Sequence, residues 1–242
     1  MQPDMLALGA LWYVAFLLSL TCHEASHALA AWLGGDPTAA HGGQVTLNPL
    51  PHMRREPFGT IFVPIASYFL SGWMIGWASA PYDPEWQRRY PRRAAWMALC
   101  GPLANFALVL VAATGIHIGI RLRTFAVPTR VGFTQVVAVT SGSAASAFPG
   151  SLTAGAAVFL SILFSLNLLL GVFNLLPVPP LDGNSAIGLL MPENAARRFA
   201  EISHNRSFAF AGLLLSWVAF GYIFQPIFLA GVNCLYPGAG FR

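Results

Sequence analysis

The chain contains no lysine and little charge of either sign. Asp, Glu, Lys and Arg make up 9% of its 242 residues while hydrophobic residues make up 56%, and an ordinary soluble domain carries about 25% charged residues. So few polar side chains cannot cover a water-soluble globule, and a mean hydropathy of +0.60 makes a bilayer the expected solvent. All 13 basic residues are Arg, giving a formal net charge of +4. They stand between apolar segments, so this charge bears on orientation in a membrane and gives no reason to expect a nucleic-acid partner. The three cysteines, Cys22, Cys100 and Cys234, are far apart and lie in or beside apolar runs. They read as small buried hydrophobes and exclude a disulfide framework. No basic residue precedes Arg54, so the positive leader of a cleaved signal is missing and the first apolar run is expected to stay in the mature protein. No repeat of fixed period is evident.

Apolar stretches cover residues 5–33, 58–80, 94–120, 154–176 and 208–235. Each approaches or exceeds the roughly 20 residues that a spanning helix needs. The expected architecture is an all-α polytopic membrane protein, a single domain over 1–242 with four to five transmembrane helices. Between the first two runs, Gly, Asp-Pro and Gly-Gly punctuation brackets the alternating piece Gln44-Val45-Thr46-Leu47. This reads as a small β-hairpin at the cytoplasmic membrane face. The Ser/Ala/Gly-biased tract at 140–155 reads as a loop. Gly72-x-x-x-Gly76 has the spacing of small-residue helix packing, compatible with a homo-oligomer.

Late in the first apolar run stands His23-Glu24-Ala25-Ser26-His27. The i, i+4 spacing puts both imidazoles on one helix face with Glu24 adjacent, so that two His can bind one metal while Glu24 reaches its water. Ionisable residues inside a membrane helix cost roughly 2.5 to 3.5 kcal/mol each on insertion scales, and packing alone does not require three of them. A catalytic zinc commonly takes three protein ligands and keeps a fourth position for water. Asp182 is the candidate third ligand, because the run Pro177-Val178-Pro179-Pro180 before it must break the fourth helix and free the backbone to bend a carboxylate inward. By itself, Asp182 also reads as an N-cap for the helix-like piece 186–190. The histidine pair favours the ligand reading. His52 reads either as a group supporting the site or as a solvated loop histidine, and His41, His117 and His204 have no companion at ligand spacing.

Four separated blocks then resemble the site-2 protease family of intramembrane zinc metalloproteases. They are His23-Glu24-x-x-His27, Thr46-Leu47-Asn48-Pro49-Leu50-x-His52 leading to Phe58-Gly59-Thr60, Gly101-Pro102-Leu103-Ala104-Asn105, and Asn174-x-x-Pro177 through Leu181-Asp182-Gly183. The chain departs from close relatives at Met53-Arg54-Arg55-Glu56-Pro57 and at Ser79 after Gly76-Trp77-Ala78, both outside the catalytic positions. The resemblance implies one zinc per chain held by His23, His27 and Asp182, Glu24 as the catalytic carboxylate, and Asn174 placing substrate or stabilising the oxyanion. It also implies cleavage of peptide bonds in transmembrane segments of membrane proteins, with the lipid bilayer as surroundings. Such a segment must unwind before it can be cut, and the Gln44–Leu47 edge is a candidate for pairing with it. The alternative is a non-proteolytic membrane protein that binds or carries a metal through the same His and Asp residues.

Topology follows from the metal site. If Asp182 is to meet His23 and His27, the fourth run must end on the same side of the membrane as the first. One of the intervening runs must then dip in and return, and residues 58–80, rich in Gly and Pro, suit this best. With that segment re-entrant, Arg54, Arg55, Arg88, Arg89, Arg92, Arg93, Arg197, Arg198 and Arg206 fall inside, and Arg121, Arg123, Arg130 and Arg242 outside. That asymmetry agrees with the positive-inside rule. His23 lies about 25 Å along the helix from Leu6, at roughly 1.5 Å per residue, which puts the metal in the inner half of the bilayer. The expected setting is a prokaryotic cytoplasmic membrane with the active site towards the cytoplasm.

Overall fold

A computed structural model describes residues 3–140, 152–203 and 206–242. Helix α1 (Pro3–Leu33) is followed by the short α2 (Thr38–His41) and α3 (Pro49–Arg55). A π-helical turn at Phe58–Phe62 leads into α4 (Val63–Ser71), and α5 (Pro84–Arg89) leads into the long α6 (Pro91–Arg121). Helix α7 (Leu152–Asn174), the short α8 (Asp182–Ala186), a 3-10 turn at Ile187–Leu190, α9 (Glu193–Ser203) and α10 (Arg206–Leu235) complete the order. Among the described residues, four stretches are long and apolar enough to cross a membrane: Met5–Leu33, Pro91–Arg121, Leu152–Asn174 and Gly212–Leu235. Large side chains such as Val14, Leu110, Val111 and Tyr222 point outward from them, as suits a hydrocarbon solvent. Of the expected loop at 140–155, residues 141–151 lie outside the described residues, and 152–155 already belong to α7. His204 also lies outside them.

Helix α6 is the centre of the assembly, packed against both α1 and α7. Lipid tails are as apolar as leucine, so small residues that allow close approach and polar groups that bond across helices hold such helices together. The buried faces follow this rule: Ala15, Ala28, Ala31, Ala94, Ala95, Ala98, Ala112 and Ala157 are almost wholly enclosed. At the end of α1, the Gly34 carbonyl accepts 3.0 Å hydrogen bonds from Trp86 Nε1 and Arg93 Nη1. A cation there complements the negative end of the helix dipole and ties the α5–α6 corner to α1.

The helix of the second apolar run is too short to count among those four stretches. Five π-helical and nine α-helical residues from Phe58 to Ser71 reach about 21 Å at 1.5 Å per residue, short of the roughly 30 Å hydrocarbon core. The chain then turns at Gly72, which closes α4 in the left-handed conformation at φ 80°, and comes back without regular structure until the Trp77 N–H donates to the Gly59 carbonyl at 3.1 Å. The Trp77 end of the segment is thus tied back to its start. Gly72 and Gly76 do not share a helix face, because Gly76 stands in the returning strand of chain beyond α4.

The expected small antiparallel pairing is present, but at another place. It joins Phe125–Ala126 to Ala138–Val139, between the end of α6 and the start of α7. Gln44–Leu47 form no strand, and local bonds hold the segment instead. The Gln44 N–H donates to the Ala39 carbonyl, Gln44 Nε2 reaches the Ser79 carbonyl at 3.1 Å, and the Asn48 N–H donates to Thr46 Oγ1 at 3.1 Å. His52 is not solvated: it is buried in α3, where its Nε2–H donates to the Thr46 carbonyl at 3.2 Å.

Candidate metal centre

On α1, Ser19, His23 and His27 recur every four residues and form one stripe facing α6 and α7. The two imidazoles meet edge to face, with centroids 4.6 Å apart and an interplanar angle of 83°. Their Nε2 atoms are 3.0 Å apart. Asp182 Oδ2 lies 3.0 Å from His23 Nε2 and 3.3 Å from His27 Nε2. His23, His27 and Asp182 form a group whose ligand atoms all lie within 4.8 Å of one another.

Two glycine-containing blocks explain how the chain reaches this geometry. Gly101, on the α6 face opposite the histidines, is their floor: a Cβ there would stand 2.3 Å from His27 Nε2 and 2.6 Å from His23 Nε2. Any side chain at 101 would occupy the space where the imidazoles converge. Four residues on, and so on the same face, Asn105 places Oδ1 2.6 Å from His23 Nδ1. On the other side, the prolines end α7 at Asn174, and the backbone folds back so tightly that a Cβ on Gly183 would be 2.2 Å from the Leu175 carbonyl oxygen. This turn carries Asp182 inward. Asp182 is the first residue of α8, the cap position belongs to Leu181, and no side chain caps that helix. The carboxylate is therefore not consumed by capping, and Oδ2 is buried without a hydrogen-bond donor.

The donor set fits a metal on the geometry of its hydrogens. His27 Nδ1 lies 2.7 Å from the Met97 carbonyl, an acceptor only, so Nδ1 carries a proton, and the neutral imidazole keeps its lone pair on Nε2. His23 Nδ1 likewise donates to Asn105 Oδ1. In their neutral forms the two imidazoles therefore turn lone pairs towards a carboxylate oxygen, an arrangement that a cation stabilises. Neutral imidazoles and a carboxylate suit zinc, whose catalytic sites take three such ligands.

Glu24 follows His23 in α1 and is buried. Asn174 closes α7, half-buried, and among the described residues shares no hydrogen bond with the three converging groups. Two residues that orient the imidazoles lay outside the expected site, the Met97 carbonyl and Asn105. The Asn105 role was signalled by the i, i+4 spacing of Gly101 and Asn105, whereas a backbone carbonyl such as that of Met97 leaves no mark in a sequence.

Apolar spanning helices around a His-Glu-x-x-His helix and an incoming carboxylate define a membrane-embedded metallopeptidase fold and site. The sequence profile of Peptidase family M50 matches residues 11–218, and the chain belongs to that family. The resemblance to the site-2 proteases therefore holds, and the protein is an integral membrane zinc metalloprotease. YwhC of Bacillus subtilis, named as a zinc metalloprotease, is 28% identical over 221 residues, covering 90% of this chain and 85% of its own. Rip2 of Mycobacterium tuberculosis, also named as a zinc metalloprotease, is 30% identical over 233 residues, covering 93% of this chain and 76% of its own. No solved structure matches the chain. Between protease and metal carrier, the family decides for the protease.

Proposed function

We propose that this protein is an intramembrane endopeptidase that hydrolyses peptide bonds within transmembrane segments of other membrane proteins. In this reading His23, His27 and Asp182 hold one zinc and Glu24 is the catalytic carboxylate. The observation that carries it is the convergence of the His23, His27 and Asp182 ligand atoms, all within 4.8 Å of one another, among helices long and apolar enough to span a membrane. Bound zinc supplies Lewis-acid polarisation of the scissile carbonyl and acidifies water that otherwise ionises near pH 15.7. Glu24 takes the proton of the attacking water and returns it to the leaving amine. Asn174, at the break after α7, places the substrate or steadies the developing oxyanion.

The ends of α1 and α7 meet at the site while α6 runs the opposite way, and residues 58–80 enter the membrane and return. With the Arg-rich loops inside, the site faces the cytoplasm of a prokaryotic cell. A substrate helix must unwind to expose a peptide bond, so segments with Gly, Asn or Pro near the cut are preferred over a uniform Leu-rich helix.

Zinc per chain by elemental analysis, together with cleavage of a panel of co-expressed single-span reporter segments, tests this reading. About one zinc in the wild type, lost in His23→Ala and weakened in Asp182→Ala, is the expected pattern. Glu24→Gln should keep the metal and lower cleavage by about 10²- to 10⁴-fold. Cleavage by Glu24→Gln at the wild-type rate, or full zinc in His23→Ala, overturns the assignment.

A further inference from the structure

A metal-binding histidine works only if its proton sits on the nitrogen away from the metal, and for His23 that choice rests on one amide. Asn105 could present either its oxygen or its NH₂ group to His23 Nδ1, and only the oxygen leaves the lone pair on Nε2. The orientation of the amide is fixed from further away. Asn105 Nδ2 donates to Asn167 Oδ1 at 2.8 Å. Asn167 Nδ2 donates to the Leu163 carbonyl at 2.8 Å and to Ser19 Oγ at 2.8 Å. Ser19 Oγ in turn donates to the Ala15 carbonyl at 2.6 Å. Backbone carbonyls only accept, so Leu163 and Ala15 together dictate every proton in the series.

Read from that anchored end, Asn167 must turn its NH₂ towards Leu163 and Ser19, which leaves its oxygen for Asn105. Asn105 must then turn its own oxygen to His23, 2.6 Å away. Ser19, Asn105 and Asn167 each have 0% exposure, so water cannot substitute for a missing partner and the polarity of the series is enforced. The three residues come from α1, α6 and α7, which the relay also ties together.

We infer that Asn167 and Ser19 are positioning residues: through Asn105 they hold His23 in its Nδ1–H form and so set the affinity of the centre for zinc. This rests on His23 being a zinc ligand. Removing the acceptor on Asn167 leaves the Asn105 amide with one unpaired group in either orientation, so nothing selects the productive one. Changes to groups that orient a metal-bound histidine cost about 10- to 100-fold in metal affinity, and Asn167→Leu, similar in volume, should fall in that range. Ser19→Ala should cost less, because Leu163 still fixes the amide.

The test is zinc affinity by chelator competition on the purified full chain, with the absorption spectrum of the cobalt-substituted protein as a second readout. Asn167→Asp is the conservative rescue: its neutral acid offers a carbonyl to Asn105 and an O–H to Leu163, and should return affinity and spectrum to wild type. Ser161→Ala is the control for merely structural damage. It lies in the same helix, where its Oγ accepts from the Val136 and Val137 N–H groups at 2.9 and 3.2 Å, and should lower thermal stability without changing zinc affinity. A loss of less than about fivefold in Asn167→Leu, against the 10- to 100-fold range, overturns the inference. So does an equal loss in Ser161→Ala. Full zinc in His23→Ala would instead overturn the ligand assignment, which separates the two failures.

Discussion

Replacing Gly101 with alanine adds one methyl group where the two imidazoles converge. That methyl carbon would stand 2.3 Å from His27 Nε2, 2.5 Å from His27 Cε1 and 2.6 Å from His23 Nε2, and real Cβ atoms essentially never approach a neighbour within 3.0 Å. The His27 ring must therefore retreat by about 0.7 Å or more, several times the roughly 0.2 Å tolerance of metal–ligand distances. Retreat is opposed, because the rings are held at Nδ1 by the Met97 carbonyl and by Asn105, both on the same helix as Gly101. Alanine gains about 0.8 to 1.0 kcal/mol of helix propensity over glycine, while overpacking costs about 1 to 3 kcal/mol. The fold should thus lose no more than about 2 kcal/mol while zinc affinity falls by more than the roughly 100-fold typical of outer-partner changes. Chelator competition measures the affinity, and apparent Tm in metal-free detergent solution measures the fold. A Gly101→Ala protein with wild-type zinc affinity would refute the reasoning that this backbone position is the floor of the metal site.

Two further outcomes follow from the same geometry. Gly183→Ala would bring a Cβ to 2.2 Å from the Leu175 oxygen and 2.5 Å from the Leu176 oxygen. This displaces the Asp182 turn, so both zinc content and Tm should fall, and retention of either at the wild-type level contradicts it. Away from the membrane helices, burial would raise the Asp36 carboxyl, but the Thr38 hydroxyl and the Asp83 and Thr38 N–H groups together hold it below its ordinary range. A carboxyl with a lowered folded pKa stabilises above its unfolded value near 3.9, and this stability drains away as pH falls through the folded value. Asp36→Asn presents an NH₂ group to one of those donors and should cost about 1 to 3 kcal/mol at pH 7. That corresponds to about 2 to 4 °C in Tm per kcal/mol. The gap to wild type should close as pH falls below about 4, and a pH-independent gap would show that the charge is not what Asp36 contributes.

The membrane setting, four to five apolar crossings and the candidate metal ligands were legible in the sequence because each rests on a local physical constraint. A bilayer demands about 20 apolar residues per crossing, helical periodicity alone puts His23 and His27 on one face, and a proline run must end α7 wherever it is packed. Asp182 was ambiguous for the same reason: an aspartate before a helical piece satisfies a local rule for capping. Only the fold-back of Gly183 onto Leu175 shows that its carboxylate faces the histidines.

Tertiary structure decided what depends on partners distant in sequence. Alternation made Gln44–Leu47 look like a strand, yet the segment is held in place by bonds to Ala39, Asn48, His52 and Ser79. The Gly72 and Gly76 spacing carries no helix-packing meaning, because α4 has ended at Ser71, before either glycine. The protonation of His23 is set by Asn105, 82 residues away, and through it by Asn167 and Ser19. The sequence by itself thus determined that apolar helices carry the His23–His27 pair on one face, since periodicity and hydropathy act over one or two turns, and its motifs carried the resemblance to a zinc peptidase family. Which nitrogen offers its lone pair, and which residue must have no side chain at all, were decided only when α1, α6 and α7 came together, because a hydrogen bond and a steric contact exist only between groups already in place.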